Sequence, residues 1–320
     1  MKNVLIHIGY HKTASTWLQN HLFTSTHPSF EPLSEIDKPT GFSTLAESFI
    51  YDNDGYLLNS FDDNEKCIKE RLDNIINSKS TLDNRSYFVM SHERLSGNPH
   101  SSGFDASVIA NRLYNIFPKA KVLIIIREQT SWLVSNYFQY LSIGGTHSIK
   151  KYLNLKYDGK RPCFSPNHLK YHLLIDKYYE KFGQQNVLVL PYEMFSENKE
   201  AFFKEISDFL NIEVKVDAEI MKIRVNAKKN HFINYRFRFL NYLIRSSSVN
   251  NYSFLHNRSF QIMGLMIREG LGIITPRFLN KRTRNNIKEY VREWSGSRFS
   301  ESNIKTDRII PYELKKYGYL

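Results

Sequence analysis

The feature that most constrains this chain is the run Lys121-Val122-Leu123-Ile124-Ile125-Ile126, which shows no polar alternation. A strand with one wet face alternates apolar and polar side chains; a strand covered on both faces does not, and that is the condition of a parallel sheet lying between helices. Further short apolar runs occupy residues 4–8, 87–90 and 187–190, beside 122–126 itself. Stretches with helical spacing separate them, over residues 15–23, 65–76, 107–117, 131–141, 168–182 and 199–210. The alternation predicts an α/β fold with a mainly parallel central sheet flanked by helices.

At 320 residues the chain can bury a substantial core and reads as one domain, 1–320. Residues 24–64 carry Pro28, Pro32, Pro39 and scattered aromatics, and read as an irregular insertion over the sheet edge. Residues 221–284 are basic and aromatic, with Arg236, Arg238 and Arg245, and read as a helical cap. A formal net charge of +12 favours an anionic partner: nucleic acid, anionic lipid, an acidic glycan or a phosphorylated nucleotide. The aromatics are not interleaved with Lys and Arg as in an RNA-binding signature, which argues against nucleic acid. No stretch of about 18 apolar residues occurs, so no membrane span is expected. Across residues 254–279, Met263, Leu265, Met266 and Ile267 alternate with basic residues. A packed cap helix is the favoured reading there, with peripheral membrane contact as the alternative. The start, Met1-Lys2-Asn3, runs straight into the first strand without a signal peptide, so a cytoplasmic location is expected. Cys67 and Cys163 form neither a disulfide framework nor a metal motif, and the 11 histidines are dispersed, so no metal is expected.

The first strand ends at Ile8 and is followed by Gly9-Tyr10-His11-Lys12-Thr13-Ala14-Ser15-Thr16-Trp17. A glycine, a lysine and three hydroxyls leading into a helix make an anion-binding turn, with backbone N–H groups and Lys12 supplying positive charge. The nucleotide P-loop pattern of Gly, four residues, then Gly-Lys-Ser/Thr is not met, because Lys12 follows Gly9 by three positions. A plain helix N-cap is the bland reading of Ser15 or Thr16. A second anion site is suggested where the run 121–126 gives way to Arg127, with Ser135 eight residues later on the following helix. Ligands of open α/β sheets gather at the carboxyl ends of the strands, so Arg127 falls beside the first loop. A guanidinium grips phosphate through paired hydrogen bonds; the bland reading is an ion pair of Arg127 with Glu128. Two anion sites on neighbouring strands suit a nucleotide phosphorylated at both its 5′ and 3′ positions.

Together the segments Lys12 to Trp17 and Arg127 with Ser135 resemble the family of sulfotransferases that use 3′-phosphoadenosine 5′-phosphosulfate (PAPS), in its bacterial, carbohydrate-type branch. Leu190-Pro191-Tyr192-Glu193-Met194-Phe195 is similar to a strand end of that family, and the closing segment Leu314-Lys315-Lys316-Tyr317-Gly318-Tyr319 is similar to its ending. The resemblance implies a P-loop-like three-layer fold and transfer of a sulfuryl group from PAPS to a hydroxyl or amine, leaving 3′-phosphoadenosine 5′-phosphate (PAP), without a metal. Carried over by position, Lys12, Thr13, Ala14, Ser15 and Thr16 would form the 5′-phosphosulfate loop; Gly9 and His11 lie in the same loop, His11 as a candidate sulfate contact for which a surface histidine is the favoured reading. Trp17 would stack on the adenine. Burial of that ring beneath the helix is the rival reading. Arg127 and Ser135 would bind the 3′-phosphate and Tyr192 would approach the base. The Arg-Lys-Gly triplet of the hormone-type members is absent, with Arg224, Lys228 or Lys229 as candidate substitutes.

Sulfuryl transfer is an in-line displacement in which charge builds on the leaving oxygen, so positioning and electrostatics carry the chemistry. Lys12 is the candidate for stabilising that oxygen. Glu93 and His92 follow the run 87–90 at the same sheet edge as Lys12. The resemblance implies Glu93 as the general base, as in carbohydrate-type members, with His92, the type used by the small-molecule branch, second; the bland reading is a Glu93–Arg94 surface pair or a satisfied His92. The expected acceptor is an anionic glycan, a glycolipid or another hydroxyl compound. The rivals are a kinase-like nucleotide-binding enzyme, which would want an aspartate at a strand end to hold Mg²⁺, and a basic nucleic-acid-binding protein.

Overall fold

A computed structural model of the protein contains a five-stranded sheet built from β1 (Val4–Gly9), β2 (Phe30–Pro32), β3 (Tyr87–Ser91), β4 (Lys121–Ile126) and β5 (Val187–Pro191). Their order is β2-β3-β1-β4-β5, and every neighbouring pair is parallel. The structure describes residues 3–33, 44–50, 60–79, 87–156, 163–223, 230–244, 249–250 and 258–319. The first helices are α1 (Ser15–His21), α2 (Thr44–Ile50), α3 (Ser60–Ser78), α4 (Ala106–Ile116), α5 (Gln129–Ser142), α6 (Ile149–Leu153) and α7 (Tyr171–Phe182). Beyond them come α8 (Tyr192–Glu197), α9 (Lys199–Leu210), α10 (Ala218–Lys222), α11 (His231–Arg236), α12 (Asn241–Ile244), α13 (Arg258–Ile274), α14 (Arg277–Ser295) and α15 (Ser300–Ile309).

The burial of β4 accounts for its composition. Val122, Ile124 and Ile126 enter the larger hydrophobic cluster on one face of the sheet, while Leu123 and Ile125 enter a second cluster on the other. Alternate side chains thus point into different cores, and neither face admits a polar residue. β1 divides in the same way, with Ile6 and Ile8 on one side and Leu5 on the other.

The stretch 24–64, expected to be irregular, supplies the edge strand β2, paired to β3 as Phe30↔Tyr87, Glu31↔Phe88 and Pro32↔Val89. Three residues containing a proline and an acid carry no strand signal, but an edge strand tolerates both. Glu31 is buried and is neutralised by Lys79 at 2.9 Å. Pro39 lies outside the described residues, whereas α2 and the start of α3 are helical. The expected helix over 168–182 divides into a 3₁₀ turn, Pro166–Leu169, and α7.

After β5 the described elements are helical. α14 docks on the body through Ile287 and Val291, which join the larger core. Helix α13 departs from the expected packed cap helix: Met263, Met266 and Ile267 are exposed, Met266 at 71%. Truncation of Ile124 to alanine, at the fully buried centre of β4, is expected to lower unfolding free energy by about 2–5 kcal/mol. Denaturant titration followed by circular dichroism measures it, and a loss well under 1 kcal/mol would contradict the two-sided burial of this strand.

Candidate active site

The site is assembled where β1 and β4 lie side by side. Their register pairs Gly9 with Ile125, and the ladder runs one residue further as Tyr10 N–H donates to the Ile125 carbonyl at 3.2 Å. The loop after β1 then folds back on itself. Thr13 Oγ1 donates to the Tyr10 carbonyl, and Lys12 and Ala14 adopt left-handed backbone angles, φ 70° and 65°. Such angles cost non-glycine residues roughly 1–2 kcal/mol each, and left-handed residues set between ordinary ones gather backbone N–H groups into an anion-binding concavity. Gly9 is required beneath it, since a β-carbon there would meet Ser15 Oγ at 2.1 Å and Thr13 Oγ1 at 2.9 Å. The N-cap of α1 is Ala14, with no side-chain cap, so Ser15 and Thr16 do not serve as caps. Ser15 Oγ is buried without a hydrogen-bond partner.

Arg127, directly after β4, donates from Nη1 to the Lys12 carbonyl at 2.6 Å. Its guanidinium lies over the Tyr192 ring, 4.6 Å from the centroid, and its Nε is buried without a partner. Glu128 does not pair with it; both carboxylate oxygens of Glu128 cap α5, accepting from Thr130 N–H at 2.6 Å and Ser131 N–H at 2.8 Å. Strand β5 is fastened to the same edge. Glu193 accepts from Glu128 N–H at 3.1 Å and from the Tyr319 hydroxyl at 3.1 Å, which ties in the end of the chain.

One cavity of about 1120 Å³ runs across these strand ends. Lys12, Ala14, Ser15, Thr16 and Trp17 line it from the first loop, Glu93 from the end of β3, Arg127 and Ser135 from β4 and α5, and Tyr192 from β5. Gly9, His11 and Thr13 do not reach it: Gly9 lies under the loop, while His11 and Thr13 are buried. Neither does His92, whose Nδ1 accepts from Arg94 N–H at 3.1 Å and so caps the turn Glu93–Ser96. Of the two candidate bases, Glu93 faces the cavity. Trp17 borders it, but its ring is only 3% exposed. The indole stacks with Phe203 at 5.8 Å, meets Phe195 edge-on at 5.2 Å, donates from Nε1 to the Ile223 carbonyl and carries the Lys199 ammonium at 4.9 Å. The ring is thus engaged by the protein while it borders the cavity.

Burial leaves the charged groups only partly solvated. It lowers the Lys12 ammonium from its ordinary pKa, with Arg127 acting in the same direction and Glu93 against both. It raises the Glu93 carboxyl, against the pull of Lys12 and Arg94. Arg94 is paired with Asp105 at 3.0 Å, so the bland alternative of a Glu93–Arg94 surface pair is not the arrangement found. His11 Nε2 lies 3.7 Å from Glu93 Oε1, yet burial together with His100, His168, Arg94 and Lys12 keeps its pKa far below the usual value. The contact is therefore between a neutral imidazole and a carboxyl group. His92 is lowered to about 4, by burial first and Arg94 second.

Residues 2–257 match the sequence profile of the sulfotransferase domain. The chain belongs to the sulfotransferase family. A search of curated proteins gives no match. Among solved structures it is similar to a sulfotransferase from Alicyclobacillus acidocaldarius, with 16% identity, a TM-score of 0.48 and coverage of 78% of this chain and 98% of that one. It is also similar to a mouse sulfotransferase complexed with PAP, at 14% identity and TM-score 0.36 over 92% and 90% of the two chains. A sulfotransferase domain from the curacin biosynthetic pathway matches at 12% and 0.37, over 69% and 77%.

Several residues at this sulfotransferase cavity were not singled out from the sequence. Lys199, Met221, Lys222 and Ile223 line it from α9 and α10, far along the chain from the strand ends. A lysine at a helix start and an apolar pair carry no local signal of a site. The second layer was equally silent: Gln19 Nε2 donates to the Ser91 carbonyl and hydroxyl at 3.1 Å each, and His7 Nδ1 meets Ser91 Oγ at 2.7 Å, which locks α1 to β1 and β3. Arg224, Lys228 and Lys229 lie outside the described residues. Among the described residues no group of three or more His, Cys, Asp or Glu side chains is arranged to hold a metal ion.

The raised Glu93 pKa has a sign that thermal unfolding can test. The folded state binds the proton more readily than the unfolded chain, so wild type loses stability as pH rises from the unfolded carboxyl value through the folded one. Glu93→Gln is expected to melt above wild type at neutral pH, with the gap closing as pH falls below the ordinary glutamate range. A variant that melts below wild type at neutral pH would show that Lys12 and Arg94 outweigh the cost of burial.

Proposed function

We propose that this sulfotransferase takes its sulfuryl group from PAPS and delivers it to a hydroxyl or amine of an acceptor, with a carbohydrate or glycoconjugate as the favoured class. The observation that carries the reading is that Lys12 and Arg127 line one cavity, held together by the Arg127–Lys12 backbone hydrogen bond. Its volume, about 1120 Å³, accommodates a nucleotide with room beside it for an acceptor. The donor set fits an adenosine bisphosphate. Ser15 Oγ and Arg127 Nε are buried polar atoms lacking a partner, and Gly9 leaves open the space over which the loop closes.

In this reading the loop Lys12 to Thr16 holds the 5′-phosphosulfate through backbone N–H groups and hydroxyls, and Arg127 with Ser135 holds the 3′-phosphate. Tyr192, whose ring lies against Arg127, borders the base. PAPS, once bound, supplies a sulfuryl group on a phosphate leaving group. The Lys12 ammonium offers charge to the oxygen on which negative charge builds, and its partial desolvation strengthens that interaction. Glu93 accepts the acceptor's proton; its raised pKa brings it nearer the range in which a general base works well. The +12 net charge of the chain supports an anionic acceptor.

Two measurements test the reading. PAP should raise the melting temperature well above AMP or ATP at equal concentration, and Arg127→Ala should cut PAP affinity by roughly 10- to 100-fold, far more than it weakens AMP. AMP binding as tightly as PAP would sink the assignment. In turnover with PAPS and a cognate acceptor, Lys12→Ala should lower kcat by about 10²–10³ and Glu93→Gln by about 10²–10⁴, with PAP affinity of the glutamine variant retained. Full activity of Glu93→Gln would send the base role elsewhere.

A further inference from the structure

Helix α13 is built inside out. Among its described side chains, Gly264, Arg268 and Gly272, at intervals of four residues, lie on the inner side. Gly264 and Arg268 are buried, the Arg268 guanidinium donates to Asn241 Oδ1 at 2.6 Å and to the Phe237 carbonyl at 3.2 Å, and Asn230 packs so closely on Gly272 that a β-carbon would meet its Nδ2 at 1.9 Å. The large apolar residues face out: Ile262, Met263, Met266, Ile267, Ile273 and Ile274, the last two 81% and 74% exposed. Helical periodicity places all six within about 140° on one side. Phe278, at the start of α14 and 65% exposed, continues the patch. Amphipathic helices of soluble proteins turn this face to the core, and an exposed apolar patch of this extent marks an interaction surface.

The neighbouring charges say which kind. Helix α14 exposes Arg277, Lys281, Arg282, Arg284, Lys288 and Arg292, and among the described residues none of them makes an ion pair. Arg277 and Lys281, Arg284 and Lys288, and Lys288 and Arg292 are like charges four residues apart, a spacing that destabilises a helix without an external anion. A polynucleotide would satisfy the cations and leave the isoleucines and methionines in water. A second copy docking on a shared two-fold axis would bury the apolar stripe but oppose two sets of unpaired cations. An anionic bilayer would satisfy both features where they meet at the turn between the helices: the apolar side chains would enter the headgroup and acyl boundary, and Arg277, Lys281 and Arg282, within about one turn of Phe278, would remain among the phosphates.

We propose that the α13–α14 corner is a peripheral membrane-docking surface for anionic phospholipid. No helix among the described residues is long and apolar enough to cross a membrane, so the contact proposed is one of lying on the surface. The proposal does not depend on the identity of the sulfuryl donor.

Flotation of the full chain with phosphatidylcholine vesicles, with and without phosphatidylserine, at ~0.15 M salt tests it. Retention is expected on the phosphatidylserine vesicles and little on phosphatidylcholine alone. Lys281→Glu and Arg282→Glu should each weaken retention by at least about fivefold. The double change Ile273→Ser and Ile274→Ser should weaken it by about tenfold or more, with little change in melting temperature, since these side chains are 81% and 74% exposed. Met266→Trp should shift its emission to the blue when phosphatidylserine vesicles are added. No retention on the anionic vesicles overturns the proposal. So does retention indifferent to the isoleucine changes, a concentration-dependent dimer that shifts the same tryptophan without lipid, or salt-sensitive binding to polynucleotide but not to vesicles.

Discussion

The parallel pairing of β1 with β4 determines where everything else at the site can lie. Because Gly9 is in register with Ile125, the loop after one strand and the arginine after the other emerge at the same height. The Arg127 hydrogen bond to the Lys12 carbonyl then joins the two outgrowths into one wall. A one-residue slip would turn every side chain of β4 to the opposite core and carry Arg127 away from the loop. The register is therefore guarded by the burial of Val122, Ile124 and Ile126 on one face and Leu123 and Ile125 on the other. The same hydrophobic division that drives the sheet to form sets the position of the cavity.

What the cavity wall contains is unfavourable to folding taken alone. Lys12 and Ala14 hold left-handed backbone angles, Ser15 and Arg127 bury polar atoms without partners, and Lys12 and Glu93 are partly stripped of water. These features cluster at one end of the sheet, and the surroundings compensate for them. Gln19, His7 and Ser91 lock the helix after the loop, Glu128 caps α5 with both oxygens, and Glu193 with Tyr319 pins the end of the chain beside β5. Strain and desolvation concentrated at one site, held by a well-satisfied frame, are the pattern of a site preorganised to bind charge. Family membership gives that pattern its meaning, since a sulfotransferase must handle an anion on which charge moves during reaction.

How much of this could be read from the sequence differs from element to element. Helix α9 lies over 199–210 as its apolar spacing indicated, and the strands of the core lie within a residue of the runs that announced them. Strand β2 was hidden because pairing at an edge needs no hydrophobic run and tolerates Pro32. Lys12, Glu93, Arg127 and Tyr192 were legible as residues just beyond strand ends and Ser135 by its spacing from Arg127, and all five line the cavity. His92 was not separable from Glu93 by sequence. Adjacent residues leaving a strand point different ways, and the turn recruits the imidazole as a cap. Trp17 carried a motif signal, but its ring is engaged by Phe203, Phe195 and Lys199 from segments far along the chain. The segment of helix α13 read as a packed cap helix. Periodicity, however, gives a face and not the side on which the body lies.

The sequence by itself determined the α/β layering, the strand-end loop and the residues competent to hold an anion, because these rest on short-range patterns of burial, backbone conformation and charge. The tertiary structure alone decided that Lys12 and Arg127 share a cavity, that Glu93 and not His92 faces it, and that the apolar side of α13 looks outward. Each of these depends on contacts between segments distant in the chain, and such contacts are chosen by the packing of whole faces, which local residue order does not encode.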